Sequence, residues 1–327
     1  METLPPERLL ALQKRALTLR RHIVDTVFAA GSGHPGGSLS IAEILVALYD
    51  EVMRHDASRP TWEDRDRLVL SKGHCCPGLY GILAMHGYFP VEDLQTLRKT
   101  GSHLQGHPHL GSTPGVEFNG GSEGQGLSGA VGMALAAKMD EKDHRIYCII
   151  GDGECQAGMI WEAAGAASHF RLDNLTAVLD RNGLQIDGPT EEIMSIEPIA
   201  ERWRAFGWNV VEVDGHEIPE ALDALALARG TKGRPTMIIA HTVKGKGVSY
   251  MEGTLSFHGK APSKDELAKA RTEFDLAERR LAASAAAAPR SDAEASRSGA
   301  SEAGREYAAP ERGTSEGSIR RVPGAGA

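Results

Sequence analysis

Residues Arg145–Ile150 read RIYCII and run straight into Gly151-Asp152-Gly153-Glu154. A short apolar run without alternation, closed by glycines, predicts a strand buried on both faces. The glycines let the backbone turn sharply and approach a ligand closely. Asp152 then falls at the carboxyl end of a strand and just before a helix start, where phosphate is favoured. A carboxylate beside phosphate needs a cation between them, and Mg²⁺ takes one or two protein oxygens together with phosphate oxygens. The next apolar run, Leu175–Asp180 (LTAVLD), ends in Arg181-Asn182-Gly183-Leu184-Gln185. Adjacent parallel strands end side by side, so Asn182 is placed to offer the same ion a second oxygen. An Asp-Gly turn alone is common; Asp152 with Asn182 one strand later is specific.

Working outward, Arg67–Leu70, Asn209–Val213 and Thr236–His241 are further strand candidates. Helical stretches are predicted at Leu9–Ala30, Leu127–Met139, Ile160–Phe170, Glu197–Phe206 and Pro219–Arg229. Strands alternating with helices predict right-handed crossovers and an α/β fold, a parallel sheet flanked by helices. Ligands in such sheets bind at the carboxyl ends of the strands. This body spans residues 1–262. Ser263-Lys-Asp-Glu266 is a capping box opening a helix to Ala288, with Leu267, Ala270, Phe274 and Leu281 on the stripe that packs on the core. Pro289–Ala327 is rich in Ala, Ser, Gly, Glu and Arg and is expected to be a disordered tail.

Composition narrows the function classes. The chain has 327 residues, 36 Lys+Arg against 44 Asp+Glu, and 38 glycines. A net charge of −8 argues against a nucleic-acid or anionic-membrane partner. No stretch approaches the roughly 18 apolar residues of a membrane helix, and the first residues lack a signal-peptide core. Cys75, Cys76, Cys148 and Cys155 form neither a CxxC pair nor a disulfide framework, which fits a reducing, cytoplasmic setting and buried thiols. Among 13 histidines, His34, His74 and His107 follow glycine, and His258 precedes one. Small neighbours expose an imidazole that can exchange protons and hydrogen bonds near neutral pH. Such a set suits hydroxylated, anionic sugars. Lys244-Gly-Lys-Gly247 follows a strand but lacks Walker A spacing, so a plain basic turn stays open for it.

Gly-Asp-Gly followed about thirty residues later by Asn resembles the diphosphate–metal motif of thiamine-diphosphate enzymes, and within them the transketolases. Matching segments are Gly31-Ser-Gly-His-Pro-Gly-Gly37, Leu70-Ser-Lys-Gly-His74, Gly106-His-Pro108 with Gly120-Gly-Ser-Glu-Gly-Gln-Gly126, and Lys244-Gly-Lys-Gly247 with His258-Gly-Lys-Ala-Pro262. They occur in the family's order. The resemblance implies thiamine diphosphate held with Mg²⁺ (Ca²⁺ or Mn²⁺ as substitutes), the metal taking Asp152, Asn182 and the Leu184 carbonyl. It implies that Gly151 and Gly153 admit the diphosphate and that His74 and Lys244 contact the cofactor. Gly121, Ser122 and Glu123 would pack on its rings, and His34, His107 and His258 would line the substrate channel. Glu162 resembles an interfacial carboxylate coupled to a partner's catalytic glutamate. Glu123 departs from the family, which usually has an apolar residue there, and points to a specialised ketose donor. A whole transketolase is about twice this length. The chain is therefore expected to be the diphosphate-binding subunit of a split enzyme, active only with a pyrimidine-binding partner, as an α2β2 assembly. It would transfer a two-carbon ketol unit from a ketose to an aldose. Competing readings are the α subunit of a 2-oxo-acid dehydrogenase, a 1-deoxyxylulose-5-phosphate synthase relative, and a non-catalytic cofactor-binding subunit.

Overall fold

The computed structural model describes residues 4–287; the expected tail, Pro289–Ala327, lies outside them. Five strands form one sheet: β1 (Arg67–Leu70), β2 (Ile146–Gly151), β3 (Leu175–Arg181), β4 (Asn209–Asp214) and β5 (Thr236–His241). The order is β1-β2-β3-β5-β4 and every pairing is parallel. The helices are α1 (Pro6–Ala30), α2 (Pro35–Leu39), α3 (Ala42–Ala47), α4 (Cys76–Met85), α5 (Gln125–Met139), α6 (Gly158–His169), α7 (Thr190–Met194), α8 (Ile199–Ala205), α9 (Ile218–Gly230) and α10 (Lys264–Ala287).

The continuous apolar reading of β2 has its cause in two cores. Tyr147 and Ile149 face one core with residues of α1, α3, α4, α9 and α10. Ile146, Cys148 and Ile150 face the other with residues of α5, α6 and α8. Alternate side chains point to opposite faces, and both faces are covered, so no polar alternation remains. β3 follows the same rule: Val178 lies in the first core, and Leu175, Ala177 and Leu179 in the second.

The expected helices are present with shifted ends. The helix expected over Glu197–Phe206 starts at Ile199, because a residue before proline is disfavoured in the α conformation and Pro198 follows Glu197. The capping box forms: Glu266 accepts from Ser263 N at 2.7 Å, and Ser263 Oγ accepts from Glu266 N at 3.3 Å. Leu267, Ala270 and Phe274 are buried in the core shared with α1, and Leu281 packs against it. The helix after the capping box is thus a packed part of the body. α2, α3 and α4 carried no helical period in the sequence. Nearly every residue in them is buried, so no polar face marks the turn.

The register brings the strand ends level. Gly151 pairs with Asp180, and Asp180 with Ala240. The segments after β1, β2, β3 and β5 therefore leave the sheet together, each carrying one of the singled-out motifs.

Candidate active site

Those four exits enclose a cavity of about 150 Å³. Gly151, Asp152, Gly153, Asn182, Leu184, His74, Glu123, Lys244 and His258 all line it.

Asp152 is fixed by the main chain. Its Oδ1 accepts from Gly153 N at 2.8 Å; its Oδ2 accepts from Gly183 N at 2.6 Å and from Arg181 Nη1 at 3.3 Å. Burial, and then the Asp180 charge, push the Asp152 carboxyl above its ordinary range. Such a group gains from a neighbouring cation. Asn182 Oδ1 accepts from Leu184 N at 3.1 Å, and its Nδ2 donates to Asp180 Oδ2 at 2.9 Å, which fixes the direction of the amide. Gly183 adopts the left-handed region (φ 77°), turning the Leu184 carbonyl toward the cavity side. That carbonyl accepts from the Lys244 ammonium at 3.0 Å, and Lys244 Nζ lies 2.7 Å from His258 Nδ1. The Leu184 carbonyl already faces a positive charge, and with the Asp152 carboxylate and the Asn182 amide oxygen it makes a set of oxygens of the kind a hard divalent ion takes. The donor set fits Mg²⁺ with a diphosphate. No group of three or more His, Cys, Asp or Glu placed to hold a metal occurs among the described residues, so the ligand's own oxygens would complete the shell.

The histidines converge. The ring centre of His34 lies 5.3 Å from His74, 5.5 Å from His258 and 6.3 Å from His107; His74 and His258 stack at 5.1 Å. Burial and then Arg98 push His34 down to about 4, and burial and then Lys244 push His258 down to about 3. His74 is held well below its ordinary value by burial and then Lys72; His107 is lowered by burial and then Arg98, against the pull of Glu123. All four rings are neutral at pH 7, each with one N–H to donate and one lone pair to accept. Glu123 Oε1 lies 3.7 Å from His74 Nδ1. Gly121, at φ 118°, packs beneath His107, where a Cβ would lie 3.4 Å from the ring. Ser122 is exposed in the same loop. Glu162 is exposed on α6 and is not among the residues lining the cavity.

The supporting groups were not found from sequence. Glu154 is buried and ties three segments together: Gly124 N donates to its Oε1 at 2.6 Å, Gly151 N to its Oε2 at 3.0 Å, and Ser71 Oγ donates as well. Lys72 forms a buried ion pair with Asp180. Asp180 also accepts from Ser40 Oγ at 2.7 Å and from Thr242 Oγ1. Although burial opposes ionisation, Lys72 holds the Asp180 carboxyl below its ordinary value. A second buried set steadies the Lys244 loop. Glu43 takes both Nη atoms of Arg20 at 2.6 and 2.8 Å and lies 3.1 Å from His216 Nδ1. His216 Nε2 accepts from Val243 N at 2.8 Å, and Arg20 Nε donates to Lys246 O at 2.9 Å. A charged residue closing an apolar strand, as Asp180 does, was the available signal. The vicinal cysteines are structural: both are buried, and Cys76 Sγ donates to Gly106 O at 3.2 Å.

Glycine turns at level strand ends, oxygens for a hard cation and a neutral histidine cluster define a diphosphate-cofactor domain of the α/β class. Residues 12–304 match the family described as "Transketolase, thiamine diphosphate binding domain", and the chain belongs to that family. It is 49% identical over 252 residues to the 6-deoxy-6-sulfo-D-fructose transketolase subunit SqwG of Clostridium sp. (strain MSTE9), covering 77% of this chain and 92% of that one. It is 46% identical over 251 residues to an apulose-4-phosphate transketolase subunit of Phocaeicola vulgatus, covering 77% and 89%. Among solved structures, transketolase from Campylobacter jejuni superposes with a TM-score of 0.77 at 36% identity, over 83% of this chain and 45% of that one. The chain thus spans less than half of that solved transketolase and nearly all of the relatives named as separate subunits. It corresponds to the thiamine-diphosphate-binding subunit of a split transketolase.

Proposed function

We propose that this chain, with a separate pyrimidine-binding subunit, transfers a two-carbon ketol unit from a ketose bearing a terminal phosphate or a related anionic group to an aldose. The observation that carries this reading is the meeting of Asp152, Asn182, Leu184, Lys244, His74 and His258 around one cavity, with His34 packed against both of those rings and His107 against His34. Thiamine diphosphate, when bound, supplies the electron sink for breaking and re-forming the carbon–carbon bond beside the ketone. Asp152, Asn182 and Leu184 would hold Mg²⁺, and Gly151 and Gly153 would admit the diphosphate without side-chain obstruction. His74, Lys244, Gly121, Ser122 and Glu123 would bound the cofactor. His34, His107 and His258, kept neutral by burial and nearby cations, would donate to and accept from sugar hydroxyls without the hydration of a charged ring.

The partner is supported by relatives named as subunits and by apolar side chains exposed on this chain: Met159, Phe170, Ile186, Ile193 and Met194. Glu162 lies on α6 together with Met159, and Phe170 follows directly after that helix. A partner covering α6 would therefore meet this carboxylate. We assign an α2β2 assembly and a cytoplasmic location, the latter consistent with four buried free thiols. The donor is a specialised ketose. Two relatives are named for 6-deoxy-6-sulfo-D-fructose and apulose-4-phosphate, and Glu123 brings a carboxylate into the cavity.

The test is calorimetry of thiamine diphosphate binding in the presence of Mg²⁺. Asp152→Ala should abolish measurable binding while the far-ultraviolet circular dichroism stays that of wild type. Unchanged affinity would refute the metal role of Asp152.

A further inference from the structure

The strand β4 sends no residue to the cavity: among the described residues that line it, none comes from the turn after β4. That turn carries His216 instead. Gly215 N donates to His241 O at 2.8 Å, and His216 N to Asp214 Oδ1 at 2.8 Å. A Cβ at 215 would come within 2.5 Å of Thr242 Cγ2, so glycine lets this turn lie against the β5 exit. The His216 side chain is 10% exposed and joins two groups. Its Nε2 accepts from Val243 N at 2.8 Å, and its Nδ1 lies 3.1 Å from Glu43 Oε2. A backbone N–H can only donate, so the lone pair sits on Nε2 and the ring proton on Nδ1, where it is given to Glu43. Burial opposes ionisation of Glu43, but Arg20 and His216 hold its carboxyl down to about 2. The same carboxylate reaches the far end of the basic turn through Arg20, whose Nε donates to Lys246 O at 2.9 Å. Between these two anchors, Gly245 N donates to Gly36 O at 2.9 Å. Lys244 is thus aimed from a backbone held on both sides. Its ammonium has only protons to give. It donates to Leu184 O and to His258 Nδ1, which leaves the N–H of His258 on Nε2.

We propose that His216, which lines no part of the cavity, is a positioning residue for ketol transfer: its Nε2 lone pair sets the backbone at Val243 so that Lys244 meets the Leu184 carbonyl and fixes the tautomer of His258. This role rests on the transferase reading above and extends it to a residue outside the site. The two hydrogen bonds of the ring have separable consequences. The bond to Glu43 belongs to the buried charged set and its stability; the bond to Val243 acts on the cofactor end of the cavity. Asparagine ends at the distance of Nδ1, so it keeps a donor for Glu43 and falls short of Val243. Glutamine reaches as far as Nε2 and keeps an acceptor for Val243.

The test compares His216→Asn and His216→Gln with wild type in two ways. In the full chain without cofactor, hydrogen exchange is followed at the Gly245 amide. It should quicken in His216→Asn and stay close to wild type in His216→Gln, while exchange within β5 is the same in all three. In the enzyme assembled with its pyrimidine-binding partner, the apparent KM for thiamine diphosphate is measured with Mg²⁺ in excess. It should rise roughly tenfold in His216→Asn, the loss of one buried hydrogen bond. In His216→Gln it should stay within about twofold of wild type, as should kcat at saturating cofactor in both variants. A role confined to holding Glu43 predicts the reverse order, because asparagine keeps that bond. KM for the cofactor in His216→Asn equal to wild type, or a rise in His216→Gln as large as in His216→Asn, would therefore overturn the positioning role. Absence of cofactor-dependent transfer by wild type would fall on the proposed function instead. His216 is then judged by exchange alone: faster exchange at Gly245 in His216→Asn but not in His216→Gln supports the role, and equal exchange in the two contradicts it.

Discussion

His34 and His258 show how the site sets its own chemistry. Their folded values, about 4 and about 3, lie below the ordinary histidine value of 6.5. The unfolded chain therefore binds more protons than the native one between those limits. Stability is full above pH 6.5 and falls as pH drops toward 4 and then 3. Urea unfolding at pH 7.5 and pH 5 should show a drop in stability for wild type that shrinks in His34→Gln. An identical drop in both would place the acid sensitivity elsewhere. The positions of these rings were legible as Gly-His pairs, but their mutual contact was not. His34 and His258 are 224 residues apart in sequence, and no local pattern records a contact at that range. Glu123 stood out as an acid in a loop of small residues, and its side chain does face the histidines.

At the level of elements, buried polar groups clamp loops onto the sheet. Glu154 receives two backbone N–H groups and the Ser71 hydroxyl. Glu154→Ala would leave those donors unpaired in a buried setting, at a cost of about 1–3 kcal/mol for each unsatisfied group. Hydrogen exchange at residues 121–126 should rise more than exchange in β3. Uniform change across both would deny the clamp. Glu43→Ala would leave Arg20 buried without its counter-charge, and the expected loss of stability is roughly 3–5 kcal/mol, read by denaturant unfolding. A loss below about 1 kcal/mol, the range of exposed pairs, would contradict its anchoring role. Gly126→Ala would set a Cβ 2.5 Å from Ser71 Cα, so the start of α5 should move off β1 and the melting temperature should fall. Strands and amphipathic helices were readable because one or both faces impose a period. The buried α2, α3 and α4 have none. The clamps were unreadable for another reason: Lys72–Asp180 and Arg20–Glu43 join residues whose pairing only the fold creates.

For the molecule as a whole, the parallel order β1-β2-β3-β5-β4 brings four strand exits to one cavity, which is why motifs scattered from residue 31 to residue 262 form one site. The chain covers 44–46% of three solved transketolases it resembles and 89–92% of two relatives named as subunits. On the proposed reading, Asp152, Asn182 and the Leu184 carbonyl would hold the metal with the diphosphate, and the remaining catalytic groups would fall to the partner. The most direct measurement is ketol transfer by this chain and its pyrimidine-binding partner, assayed separately and mixed, with thiamine diphosphate and Mg²⁺ present throughout. Transfer should appear only in the mixture and saturate at one partner per chain. Turnover by the purified chain alone would contradict the split-enzyme assignment.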